Sequence, residues 1–193
     1  MMARTPAVLP SAALVVLAMG VLAIAGCRGG VPSGNDAGGV DARRVEKKIE
    51  IDLTVQELRT FEGGRLSREY AISSGRKDRT PPGDYVVWKK HRKKDMKVGL
   101  VVLGKFYVLE DVPWIMFFEG RDLPRERGYA IHGAYWHDDF GKPVSHGCVN
   151  MRVEDARDLW HWSSPSAGEA VEVVATDANP GTPVAIHGFT PGG

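Results

Sequence analysis

Ser145-His146-Gly147-Cys148-Val149-Asn150, preceded by His132-Gly133, is the stretch on which the reading of this chain turns. Cys148 is one of only two cysteines in 193 residues. The thiolate is the reactive form of cysteine, and a nearby imidazole is the usual means of producing one at neutral pH. The pattern points to a cysteine nucleophile served by a histidine base. His146 stands two residues from Cys148, so on an extended segment the two side chains share a face. His132 is sixteen residues away, which suits a base delivered by the fold. Backbone N–H groups around Gly147 and Cys148 are candidate oxyanion donors, and Gly133 and Gly147 permit close backbone approach.

Two other readings compete. Free cysteine is often an inert core residue, but Ser145, His146, Gly147 and Asn150 are not an apolar setting. His132, His137, Asp138, Asp139, His146 and Cys148 also include enough donors for zinc. Their spacing matches no closed structural pattern, and His-Glu-x-x-His is absent. No metal or cofactor is therefore expected.

Working outward, 43% hydrophobic content over this length suits one compact domain with extensions. The formal charge is +1, from 25 basic and 24 acidic residues. That balance argues against a dedicated nucleic-acid binder. Residues 1–26 read as an export signal: Arg4, an apolar run from Ser11 to Ala25, then Gly26 before Cys27. The run is shorter than the roughly 20 residues that span a bilayer. The small residues before Cys27 resemble a bacterial lipobox, so Cys27 is the expected lipid attachment site, holding the chain to a membrane without spanning it. Residues 27–46 are glycine-rich without hydrophobic period and read as a flexible tether, with a mean reach on the order of 24 Å.

The folded domain is expected over residues 47–188, with a tail at 189–193. Ile49, Ile51 and Leu53 alternate with acidic residues, a strand period. Gly63-Gly64 signals a hairpin turn. Further strands are expected through Leu66–Ser73, Tyr85–Trp88, Val98–Leu103, Trp114–Phe118, Tyr129–His132, Val171–Ala175 and Val184–Ile186, with a type II turn at Asn179-Pro180-Gly181. Val153, Ala156, Leu159 and Trp160 recur at helical spacing soon after Cys148, where a helix dipole could lower the thiol pKa. Lys89-Lys90-His91-Arg92-Lys93-Lys94, with Lys97, reads as a solvated hairpin tip. The fold class is mainly β with one prominent helix, and a monomer is expected.

Ile131-His132-Gly133 followed by Ser145-His146-Gly147-Cys148-Val149-Asn150-Met151 resembles the active-site signature of the L,D-transpeptidase (YkuD-type) family. The likeness extends to Ser73-Ser74-Gly75, Thr80-Pro81-Pro82-Gly83 and Gly181-Thr182-Pro183-Val184, covering Lys47 to His187. It implies a β-sandwich-like catalytic fold and an extracytoplasmic enzyme acting on peptidoglycan stem peptides. By position Cys148 is the nucleophile and His132 the base, with Gly133 orienting it through its carbonyl. His146, Ser145, Gly147 and Asn150 then shape the oxyanion and substrate site, with Tyr129 and Met116 as pocket residues. Within that chemistry the acyl group passes to a stem amine, to water (an L,D-carboxypeptidase) or to a protein amine. A non-catalytic wall-binding lipoprotein and a zinc hydrolase are the readings from other classes.

The lipobox reading predicts that Cys27→Ser abolishes palmitate labelling and releases the protein from membranes. Membrane association unchanged in that variant would sink it.

Overall fold

The computed structural model describes residues 45–100 and 105–191. The expected export signal, Cys27, nearly all of the tether and the end of the expected strand Val98–Leu103 lie outside the described residues. Among these, nine strands and one α-helix form, in the order β1 (Lys47–Asp52), β2 (Glu57–Glu62), β3 (Arg65–Ser73), β4 (Gly83–Leu100), β5 (Lys105–Glu119), β6 (Ala130–Gly133), β7 (Val149–Met151), α1 (Val153–Trp162), β8 (Glu172–Val174) and β9 (Pro183–His187). The fold is mainly β and sandwich-like, with its helix directly after the segment that carries Cys148.

Ile49 and Ile51 point inward while Glu50 and Asp52 do not, as a two-residue period requires. Gly63 and Gly64, at φ 55° and 76°, make the two-residue turn between β2 and β3. Positive φ at both positions matches the right-handed twist of the flanking strands, and glycine adopts it without strain. The pairings close on themselves, running β4–β5–β6–β7–β3–β2–β1–β9 and back to β4, with β8 also on β4. Closure removes edges that would otherwise invite pairing with other chains. The main core takes Ile49, Leu58, Ile72, Val87 and Phe118 from the strands, and Leu159 and Trp160 from α1.

The C-terminal carbonyls of α1 are capped by two lysines. Lys90 Nζ donates to the carbonyls of Trp160 and Ser163, at 2.5 and 2.8 Å, and Lys47 Nζ to that of Trp162 at 2.7 Å. Cations there satisfy orphan carbonyls and complement the helix dipole.

Three expectations are corrected. The basic run is not a hairpin tip: Lys89–Lys97 lies inside β4 and pairs with β5, Lys89–His91 pair with β8 on the other side, and Lys90 is only 1% exposed. Asn179-Pro180-Gly181 is not a type II turn. The chain reverses earlier, where Thr176 and Asn179 exchange backbone hydrogen bonds. Gly181 is needed for space instead, since a Cβ there would lie 1.7 Å from the Val87 carbonyl oxygen. The presumed tail is anchored at its start: Thr190 is buried and its N–H donates to Asp78 Oδ1.

Burial, reinforced by the Lys47 charge, pulls the Lys90 ammonium from 10.5 down to about 7. Between those values the unfolded chain holds a proton that the folded chain has released, so stability rises with pH, by up to about 1.4 kcal/mol per unit. Urea midpoints should climb from about pH 7 to about pH 10, and Lys90→Met should flatten the climb. An unchanged slope in the variant would refute this assignment.

Candidate active site

β6 and β7 run side by side in parallel, with Ile131 opposite Val149 and His132 opposite Asn150. The pleat sends Ile131 and Val149 into the main core and His132 and Asn150 to the other face. Cys148, one residue before β7, packs with Ala130, Val112 and Ile115 on that second face. Ordinary strand spacings put the Cys148 and His132 Cα atoms about 8 Å apart, as diagonal neighbours whose side chains can meet.

His132 is 3% exposed, and its Nδ1 lies 3.1 Å from the Gly133 carbonyl oxygen. A carbonyl can only accept, so Nδ1 carries the hydrogen and Nε2 keeps its lone pair. Burial pulls this imidazole down to about 4, against the opposing effect of the Gly133 bond. The Trp136 ring covers it at 5.8 Å. Burial likewise pushes the half-buried Cys148 thiol up to about 11. The sulfur sits in an apolar cluster, and burial is the largest influence on it. At neutral pH both groups rest uncharged.

The nucleophile loop is tied down on several sides. Ser145 Oγ donates to the Cys148 carbonyl and accepts the Gly147 N–H at 3.0 Å. That commits the Gly147 N–H, so among the described residues only the Cys148 N–H of the two candidate oxyanion donors lacks a partner. Thr80 Oγ1 donates to the Gly147 carbonyl at 2.7 Å and accepts the Gly75 N–H at 2.8 Å. Ser145 and Ser74–Arg76 exchange backbone bonds at 3.0 and 3.1 Å. Buried Gln56 supports Ser74 from behind, accepting its N–H and donating to its Oγ, both at 2.8 Å. Neither Thr80 nor Gln56 was nominated from the sequence. A support that acts across 18 to 67 residues leaves no local pattern.

The other candidates divide. Tyr129 lies against the loop: a Cβ on Gly147 would be 2.9 Å from its ring, and its OH donates to the Arg79 carbonyl at 2.9 Å. Met116 does not line a pocket. It pairs with Ile131, is fully buried in the main core and accepts from Ser163 Oγ. His146 does not share a face with Cys148. Gly147, at φ 142°, bends the chain, and His146 is exposed with its ring edge-on to Tyr107 at 6.2 Å.

Asn150 is buried, its amide 2.8 Å from His137 Nε2. His137 Nδ1 also lies 3.1 Å from the Asp139 backbone nitrogen. The Asn150 atom facing His137 is the amide nitrogen Nδ2, so the NH₂ group is engaged by the ring. The sequence offered His137 only as a metal donor, and its link to Asn150 appears only in the fold. Among the described residues no three His, Cys, Asp or Glu side chains converge as metal ligands.

Residues 46–186 match the family model of the L,D-transpeptidase catalytic domain. A Bacillus licheniformis protein with the provisional name L,D-transpeptidase YkuD is 25% identical over 116 residues, covering 60% of this chain and 59% of that protein. An LD transpeptidase solved in complex with imipenem superposes at TM-score 0.57 with 19% identity, over 74% of this chain and 59% of that one. An avibactam carbamoyl enzyme does so at 0.56 with 25% identity, over 75% and 49%. The chain thus spans half to three-fifths of the length of these relatives.

Iodoacetamide alkylation of Cys148, followed by peptide mass spectrometry, should accelerate about tenfold per pH unit up to about pH 10, because only the thiolate reacts and its pKa is about 11. A rate already level near pH 7 would reveal a resting thiolate–imidazolium pair and overturn the neutral one.

Proposed function

The chain belongs to the L,D-transpeptidase (YkuD) catalytic-domain family, and from that premise we propose that it is a peptidoglycan L,D-transpeptidase with Cys148 as nucleophile and His132 as base. The single observation that carries the assignment is the β6–β7 register, which sets His132 and Cys148 as diagonal neighbours on one face away from the main core.

The substrate is a tetrapeptide stem, attacked at the carbonyl between its third residue, a diamino acid, and D-Ala. As sulfur approaches, His132 Nε2 takes the thiol proton, so charge separates only during attack. The Cys148 N–H is the available backbone donor to the oxyanion. Collapse of the tetrahedral intermediate breaks the C–N bond. His132 returns the proton to the leaving D-Ala nitrogen, and the acyl group stays on sulfur as a thioester. An amine of a second stem then attacks, losing its proton to the imidazole, and the thiolate leaves and is reprotonated. The product is a 3→3 cross-link.

Gly133 orients the imidazole, and Ser145 and Gly147 hold the loop in place. Asn150 and Tyr129 lie where the stem would pass, with the Asn150 amide set by its contact to His137. The setting is extracytoplasmic, with the domain held to a membrane through lipid on Cys27.

Intact-protein mass spectrometry of the full chain after carbapenem treatment is the test. Wild type should gain one adduct and Cys148→Ala none, while His132→Gln should acylate about a hundredfold more slowly or less. An adduct retained in Cys148→Ala, or a wild type that folds and never acylates, would overturn the reading.

A further inference from the structure

Thr80 sits between β3 and β4, 67 residues from Gly147 in sequence, and is fully buried. Its hydroxyl has one proton, and the two bonds it makes settle where that proton points. Oγ1 accepts the Gly75 N–H at 2.8 Å. A carbonyl can only accept, so the hydroxyl hydrogen goes to the Gly147 oxygen at 2.7 Å. The approach is close: a Cβ on Gly75 would lie 2.9 Å from Gly147 Cα, from the Thr80 nitrogen and from Thr80 Oγ1. The lack of a side chain at Gly75 is what lets the three segments meet.

The Gly147 carbonyl shares its peptide unit with the Cys148 N–H. That unit is planar and trans, so the oxygen and the N–H point in opposite directions. A bond that fixes the oxygen therefore fixes the aim of the N–H. It also polarises the unit, since hydrogen bonds in a chain strengthen one another. Among the described residues the Cys148 N–H has no partner of its own, whereas the Gly147 N–H is held by Ser145 Oγ. Thr80 is itself braced from behind. Gly75 follows Ser74, whose N–H and Oγ are both held by Gln56, and Gln56 Nε2 donates to the Leu53 carbonyl at 2.7 Å. The Ser74 carbonyl in turn accepts the Ser145 N–H at 3.0 Å.

We infer that Thr80 is a positioning residue for acyl transfer, its hydroxyl aiming and polarising the Cys148 N–H for the oxyanion that forms as sulfur attacks. This rests on the acyl-transfer reading of Cys148. Thr80 acts through the Gly147–Cys148 peptide and touches neither sulfur nor substrate. Its effect belongs to the transition state, where the carbonyl oxygen gains negative charge, more than to the bound ground state.

The test uses the full chain as wild type, Thr80→Val, which keeps the shape without the hydroxyl, and Thr80→Ser, which keeps the hydroxyl. Cys148 acylation by a carbapenem, which passes through an oxyanion, is compared with alkylation by iodoacetamide, which does not. Thr80→Val should slow acylation at saturating carbapenem by about tenfold to a hundredfold, less than the loss of a whole oxyanion donor. The half-saturating carbapenem concentration should stay the same, and so should the alkylation rate at one pH. Thr80→Ser should restore acylation. If Thr80→Val does not fold, Thr80→Ala carries the same comparison, and a chain that folds with neither would make Thr80 a folding residue and overturn the assignment. Acylation unchanged in Thr80→Val, alkylation slowed equally, or no rescue by Thr80→Ser would also overturn it while leaving acyl transfer intact. A folded wild type that alkylates normally but is never acylated would overturn both readings.

Discussion

The register of β6 against β7 is the constraint on which the rest depends. Side chains alternate with period two, so a slip of one residue would turn His132 into the core and Ile131 out of it. The slip is blocked from both flanks: Met116 of β5 pairs with Ile131, while Ile72 and Ser73 of β3 pair with Met151 and Asn150. Ile131, Val149 and Met151 are fully buried, each worth about 1.5–3 kcal/mol of burial. The core therefore sets the register, and the polar face comes with it.

Electrostatics at the site follow from which effect is larger. A helix N-terminus contributes typically about 0.3–1 kcal/mol to a nearby anion. The Cys148 thiol is pushed from 9.0 to about 11, on the order of 3 kcal/mol against the thiolate. Desolvation wins, and it acts on His132 in the opposite direction. A neutral thiol beside a neutral imidazole stores little electrostatic energy at rest. The demand falls instead on the attack itself, where new charge appears in a setting that Trp136 shields and few donors reach.

The paired strands β4 and β5 show tertiary context overriding local composition. Six basic residues in succession, Lys89 to Lys94, would not form an isolated strand. Pairing with β5 along the run, and with β8 at Lys89–His91, holds it in the sheet, and individual side chains find separate anions or carbonyls. Lys89 meets Glu172, Lys93 meets Asp111, and Lys90 turns inward to the end of α1. A run that looks uniform in sequence is divided by the pleat into different environments.

Much was legible from residues alone, for a shared reason: the signals were local. Alternation at Ile49 and Ile51, the paired glycines at 63 and 64 and the stripe Ala156, Leu159 and Trp160 each specify geometry within a few residues. The Cys148 loop, with His132 upstream, named its own chemistry. What the sequence could not carry was anything joined across the fold. Gln56 beneath Ser74, Thr80 on Gly147 and His137 on Asn150 are contacts between segments whose spacing encodes nothing. Met116 and His146 were misplaced for the same reason, one on the core face of β5 and the other beyond a bend at Gly147. The sequence by itself determined which elements form and which side chains can do chemistry, because backbone preference and reactivity are local. Only the tertiary structure decided which of those side chains meet, and at what pKa, because register and desolvation depend on neighbours that the chain brings in from far away.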